Sequence, residues 1–104
     1  MLRSVKYEFK INKNLNNKTL TISLCGRLDT ITAPELEGEL NDLNFDALII
    51  DMKELDYISS AGLWIILKLH KKFARSGGLK LINLKEEVRE VFDITGFTDF
   101  LCIE

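Results

Sequence analysis

The sequence predicts an α/β fold: one domain with a mixed, mostly parallel β-sheet, an opening β-hairpin and helices packed against the sheet. Three observations predict it. Two strand-like segments come first, strand-like and helix-like segments alternate from there on, and 104 residues are enough for one ordinary core and not two. The expected domain therefore spans residues 1–104.

Each element has a local reason. Val5–Ile11 alternates apolar and polar residues, and Thr19–Cys25 (TLTISLC) is rich in β-branched side chains, so both read as strands. The Asn-rich stretch Asn12–Lys18 (NKNLNNK) supplies the turn chemistry of a hairpin between them. Gly26 is expected to break the second strand ahead of Arg27, Leu28 and Asp29. Thr32 or Ala33 as cap, with Pro34 in the first turn, starts a helix whose apolar spacing is Leu36, Leu40 and Leu43. The continuous run Ala47–Ile50 reads as a strand buried on both faces, ending at Asp51 in a polar turn.

From Ser60 a helix carries Leu63, Ile66, Leu67, Phe73 and Ala74 along one stripe, with Lys68, Lys71, Lys72 and Arg75 opposite and Gly77-Gly78 as its end. Leu79–Leu84 reads as a strand. Lys85–Ile94 reads as a helix burying Val88, Val91 and Phe92 and stopped by Gly96, and Phe97–Ile103 as a last apolar segment able to join the sheet.

Composition narrows the function classes. Hydrophobic residues at 46% and charged residues at 29% describe a globular chain rather than a disordered one. A net charge of −2 without a basic block argues against direct nucleic-acid binding. No apolar run approaches the roughly 20 residues of a membrane span, and the N-terminus MLRSVKYEFK lacks the apolar core of a signal peptide, so a cytoplasmic protein is expected. The two cysteines, Cys25 and Cys102, read as small buried apolar residues, and with one histidine the ligand count for a metal site fails. No cofactor is implied. A serine hydrolase is disfavoured because G-x-S-x-G is absent and His70 lies about two and a half helical turns from Ser60. Neither GxGxxG nor GxxxxGK[ST] occurs, so a nucleotide-binding enzyme fares no better. A binding module is expected, not an enzyme.

The segment Asp51–Leu67, DMKELDYISSAGLWIIL, closely resembles the signature of STAS domains, specifically the bacterial anti-sigma factor antagonists. Gly26-Arg27-Leu28-Asp29-Thr30, followed by Thr32-Ala33, is similar to the family's G-x-L-D strand end leading into the first helix. The resemblance implies a cycle. An antagonist with an unmodified serine binds an anti-sigma factor that is also a serine kinase, and the sigma factor is released. Phosphorylation of the serine from ATP weakens the complex, and a phosphatase resets it. Aligned on Gly62-Leu63, the accepting serine falls on Ser60. The family often carries Asp immediately before it, where this chain has Ser59, which leaves Ser59 as the less favoured acceptor.

Physical chemistry suits that role, because N–H groups and the macrodipole at a helix N-terminus favour negative charge. The expected partner-binding residues are Asp29, Thr30, Asp56, Ser59, Ser60, Gly62 and Trp64. Several have a plain structural reading as well. Asp29 is a partner contact or a turn residue, and Arg27 a solvated side chain or a partner contact. Gly62 lets a partner backbone approach or relieves crowding, and Trp64 anchors a partner or covers the core edge. Thr30 and Thr32 are most simply helix-start residues, and His70 a structural histidine. Expected partners are the anti-sigma kinase and a phosphoserine phosphatase, and size and charge are compatible with a monomer. The alternative within the same fold is a constitutive subunit of a lipid-transport ABC complex or of a stress-signalling assembly.

Overall fold

The computed structural model describes residues 9–104. Val5–Glu8 of the first expected strand lie outside the described residues. Strand β1 (Lys10–Asn16) pairs antiparallel with β2 (Thr19–Leu28), in register from Lys10↔Cys25 to Asn16↔Thr19. The expected hairpin is present, but its turn is only Asn17-Lys18, with Asn17 at φ 59°. Asn12, Asn14 and Asn16 are ladder residues. They are exposed on an edge strand, where polar side chains cost little and discourage pairing with another chain.

Three crossovers follow: α1 (Ala33–Leu40) to β3 (Ala47–Ile58), α2 (Ser60–Phe73) to β4 (Gly78–Ile82), and α3 (Glu86–Thr95) with the 3₁₀ turn Phe97–Asp99 to β5 (Cys102–Ile103). The sheet order is β1-β2-β3-β4-β5, parallel from β2 onward. Successive crossovers of one hand between adjacent strands put the helices on the same side of the sheet. Burial agrees with that placement. Leu20, Ile22, Leu24 and Leu28 of β2 and Leu48, Ile50 and Met52 of β3 are buried with Leu36, Ile66, Val88 and Phe92 of the helices. The alternate residues Thr21, Ser23, Cys25, Ile49 and Asp51 are only half-buried. The strand expected to be buried on both faces therefore has one sealed face and one partly open face.

β3 is also far longer than expected. It runs through Asp51 to Ile58 because two register shifts interrupt its pairing with β2, between Ser23 and Cys25 and between Gly26 and Arg27. Each shift gives β3 one extra residue, so its buried positions fall at Met52, Leu55 and Ile58, every third residue. That spacing hides a strand from any search for alternation. Gly26 does not break β2. It takes φ 106° beside the second shift, a left-handed conformation glycine adopts without strain, and β2 continues to Leu28.

The helices depart from expectation at their ends. α1 stops at Leu40, which leaves Leu43 half-buried beyond it. In α2 the buried face is Gly62, Leu63, Ile65, Ile66, Leu69 and Phe73, while Ala74 is exposed and Leu67 half-buried. α2 ends four residues before Gly77-Gly78, and Gly78 already belongs to β4. In α3 Val88 and Phe92 are buried and Val91 is half-buried, and Gly96 closes the helix in the left-handed region, as expected. Cys102 is exposed and Cys25 half-buried, so neither is the sealed apolar residue expected, and both thiols are free.

The seat of α2 on the sheet is tight. A Cβ on Gly62 would lie 2.7 Å from Ile58 Cγ1 and 2.7 Å from the Leu28 carbonyl oxygen. The carbonyl is backbone and cannot step aside. Gly62→Ala is expected to destabilise the fold by about 1–3 kcal/mol, read as a lower denaturant midpoint with an unchanged slope.

Candidate functional site

The parallel strands β2 and β3 adjoin, so their C-terminal ends leave the same edge of the sheet. The Asp29–Thr32 turn therefore sits beside the Ser59–Ser60 turn. The Ser59 N–H donates to the Leu28 carbonyl at 2.9 Å and ties the two exits together.

The first exit is organised by Asp29. Its Oδ1 accepts from the N–H groups of Ile31 at 3.0 Å and Thr32 at 3.1 Å. The Thr32 hydroxyl accepts from the Asp29 N–H at 2.8 Å and donates to the Arg27 carbonyl at 2.7 Å. Arg27 reaches back with Nε 3.7 Å from Asp29 Oδ2, and its guanidinium lies 4.1 Å over the Tyr57 ring. Partial burial pushes the Asp29 carboxyl upward. The N–H groups of Thr32 and Ile31, the Thr32 hydroxyl and the Arg27 charge outweigh it and hold the carboxyl below its ordinary value. Asp29 is thus the turn's organiser. Thr32 precedes α1, but its hydroxyl serves this turn and makes no side-chain cap bond into the helix.

The second exit is built by division of labour between the serines. Ser59 is the N-cap of α2, with extended backbone (φ −97°, ψ 178°), and its Oγ accepts from the Gly62 N–H at 3.4 Å. Ser60 is the first helical residue and is exposed, and its hydroxyl makes no hydrogen bond to another described residue. The first turn of α2 has no acidic residue to neutralise the positive end of its dipole.

Thr30 is exposed beside α1, and Trp64 is 60% exposed along a groove of about 180 Å³ between α1 and α2 that Thr30, Pro34, Glu37 and Lys68 also line. Asp56 is the β3 residue skipped between the Gly26↔Leu55 and Arg27↔Tyr57 pairs. It projects to solvent, where it pairs with Lys85, the N-cap residue of α3, and the hydrogen bond from Lys85 to its carboxylate holds the ammonium above its ordinary value. Gly62 is buried, and the close approach it permits in the free chain is to its own Ile58 and Leu28, which is the crowding-relief reading of the two. His70 is half-buried near the far end of α2, its ring 5.5 Å from that of Phe100.

Sequence reasoning missed Ile31, which is 77% exposed at the tip of the Asp29 turn, and Tyr57, which is 41% exposed beside Arg27. An apolar residue between two threonines in a turn was the one available signal for Ile31. With Arg27, Asp29 and Thr32, Ile31 also lines a concavity of about 410 Å³ at this edge. Among the described residues no helix is long and apolar enough to cross a membrane, and no group of three His, Cys, Asp or Glu side chains is placed to hold a metal.

The chain is similar to curated anti-sigma factor antagonists. The anti-sigma-B factor antagonist of Bacillus subtilis is 34% identical over 91 residues, which cover 85% of this chain and 84% of that protein. BtrV of Bordetella bronchiseptica, named as a candidate anti-sigma factor antagonist, is 42% identical over 82 residues, 75% of this chain and 71% of that one. Among solved structures, an anti-sigma factor antagonist from Mycobacterium paratuberculosis superposes with a TM-score of 0.83 at 21% identity, covering 97% of this chain and 89% of that one. The antagonist SpoIIAA in its unphosphorylated form superposes with a TM-score of 0.75 at 21% identity, covering 92% of this chain and 87% of that one. The Bacillus cell fate determinant SpoIIAA in its phosphorylated form gives 0.69 at 19% identity, covering 92% and 90%. At these identities the structures speak for the fold alone. The STAS domain model matches residues 10–104, the whole sheet with its three helices, and the chain belongs to the STAS domain family.

Proposed function

We propose that this protein is an anti-sigma factor antagonist switched by phosphorylation at Ser60. In this reading the unmodified chain binds an anti-sigma factor that is also a serine kinase and frees a sigma factor, and a phosphatase restores the serine. The observation that carries the choice of residue is the split between the serines: Ser59 is spent as the helix cap, whereas the Ser60 hydroxyl is exposed and unbonded. The antagonist names of the relatives support the pathway, and SpoIIAA, of the same fold, exists in both phosphorylated and unphosphorylated forms.

The physics of the switch is an asymmetry between fold and interface. A phosphate on Ser60 adds about −1.5 to −2 charge and three acceptor oxygens. At the first residue of α2 that charge meets the free N–H groups and the positive dipole end, so the fold tolerates it. A partner docked over Ser60, Trp64, Ile31 and Thr30 must desolvate the same dianion at an edge that already carries Asp29 and Asp56. Binding is lost while the domain stays folded. No chemistry is asked of this chain beyond presenting the hydroxyl, since transfer belongs to the kinase.

Incubation with ATP and the anti-sigma kinase of the same genome should add one phosphate, measured by intact mass. Ser60→Ala should abolish it. Ser59→Ala should keep the acceptor while losing about 1 kcal/mol of stability through the cap. Ser60→Glu should weaken the complex at least about tenfold. A stable complex indifferent to that change would favour the constitutive-subunit reading instead.

The Asp29 turn carries a second expectation. Asp29→Asn should cost about 1 kcal/mol at pH 7 by weakening acceptance from the Ile31 and Thr32 N–H groups. Because the folded carboxyl titrates below its unfolded value, the wild-type advantage should be full above the unfolded value of about 3.9. It should fade as pH falls through the lower folded value, as measured by urea midpoints across that range.

A further inference from the structure

The charge of the helices is segregated. α1 carries Glu35, Glu37 and Glu39 with no base, and α3 carries Glu86, Glu87, Glu90 and Asp93 against a single Arg89. α2 and the turn after it carry Lys68, Lys71, Lys72 and Arg75 with no acid, in a chain whose net charge is −2. Steps of three and four residues put Ser60, Trp64, Lys68 and Lys71 on one outward face of α2, and Arg75 follows in the turn after it. All five are exposed. Lys68 is drawn to Glu37 of α1 at 2.9 Å, and Lys72 rests over the Phe73 ring at 5.8 Å. Among the described residues no carboxylate lies within ion-pairing distance of Lys71, Lys72 or Arg75.

From this arrangement we infer that the surface from Trp64 along α2 to Arg75 in the turn after it is a second docking surface, and that its occupant is an acidic face on the protein that engages Ser60. The inference rests on the proposed function for the occupant's identity and on the charge pattern for its chemistry. The face begins at Ser60 and runs about 16 Å along the helix to Lys71, so one partner can cover both. Trp64 stands between the serine and the bases as a large, rigid apolar contact. The unpaired bases steer an acidic partner into register, and their main effect is on the rate of association. The carboxylates of α1 and α3 make those two helices repel an acidic partner. A nucleic acid is the less fitting occupant, because its phosphates would meet the carboxylates of α1 beside a single-helix stripe.

The test titrates the ¹⁵N-labelled chain with a decaglutamate peptide at low ionic strength and follows backbone amides and the Trp64 indole N–H. Saturable shifts confined to Trp64–Arg75 are expected, with apparent affinity about tenfold weaker in Lys71→Glu/Arg75→Glu and intermediate in Lys71→Gln/Arg75→Gln. Shifts spread equally over Lys13, Lys53 and Lys80, or a silent α2, would overturn the inference. So would an oligothymidylate of equal charge that shifts the same residues at a tenfold lower concentration. With the kinase, the double reversal should slow association about tenfold at low salt and leave dissociation within about twofold. An unchanged association rate would overturn it. The peptide needs no phosphate transfer, so a failed titration leaves the Ser60 reading standing, and a Ser60 that takes no phosphate leaves the titration decisive for the surface.

Discussion

The arrangement at this end of the molecule depends on one close approach: the first turn of α2 set against the carbonyl of Leu28. That oxygen receives the Ser59 N–H at 2.9 Å and lies 2.7 Å from where a Gly62 side chain would begin. The helix can sit there only because residue 62 has no Cβ. Once it does, Ser59 is fixed as cap and Ser60 is turned to solvent, with the Asp29 turn on the adjacent strand beside it. The exposure of the proposed acceptor thus follows from backbone packing more than from any property of the serine itself.

The two register shifts in β3 set the charge around that position. They lengthen the strand by two residues relative to β2 and carry its end to Ile58, directly before the cap. They place Tyr57 under the Arg27 guanidinium and leave Asp56 without a β2 partner, free to reach Lys85 at the start of α3. One edge of the sheet thereby collects the ends of three strands and the beginnings of three helices. In the proposed switch, a dianion on Ser60 would find compensation from α2 and opposition from the carboxylates beside it, with a balance that differs between the free domain and a covered interface.

Much of this was legible in the sequence, and what was not has a physical cause. Helices could be placed because capping, Pro34 and apolar spacing are local signals, and the α/β order followed from them. The hairpin was legible through its asparagines, but not its extent, because an edge strand accepts residues that also make turns. The second half of β3 was illegible since its bulges replace alternation with buried residues at Met52, Leu55 and Ile58. At the site, Ser60 could be reached through the resemblance of Asp51–Leu67 to a known signature. The division between Ser59 and Ser60 needed the cap geometry, and Gly62's role needed the distance to a carbonyl on another strand. Ile31 gave almost no signal, since one exposed apolar residue in a turn has no periodicity to betray it.

Modification of Ser60 is expected to change the surface and spare the fold. Amide hydrogen exchange on the phosphoserine form, compared with the unmodified chain, tests it most directly. Protection at Ile58, Leu63, Ile66 and Leu69 should be unchanged, with differences confined to Ser59, Ser60 and their immediate neighbours. Loss of protection along α2 or at the end of β3 would show that the phosphate unseats the helix, and the account would be contradicted.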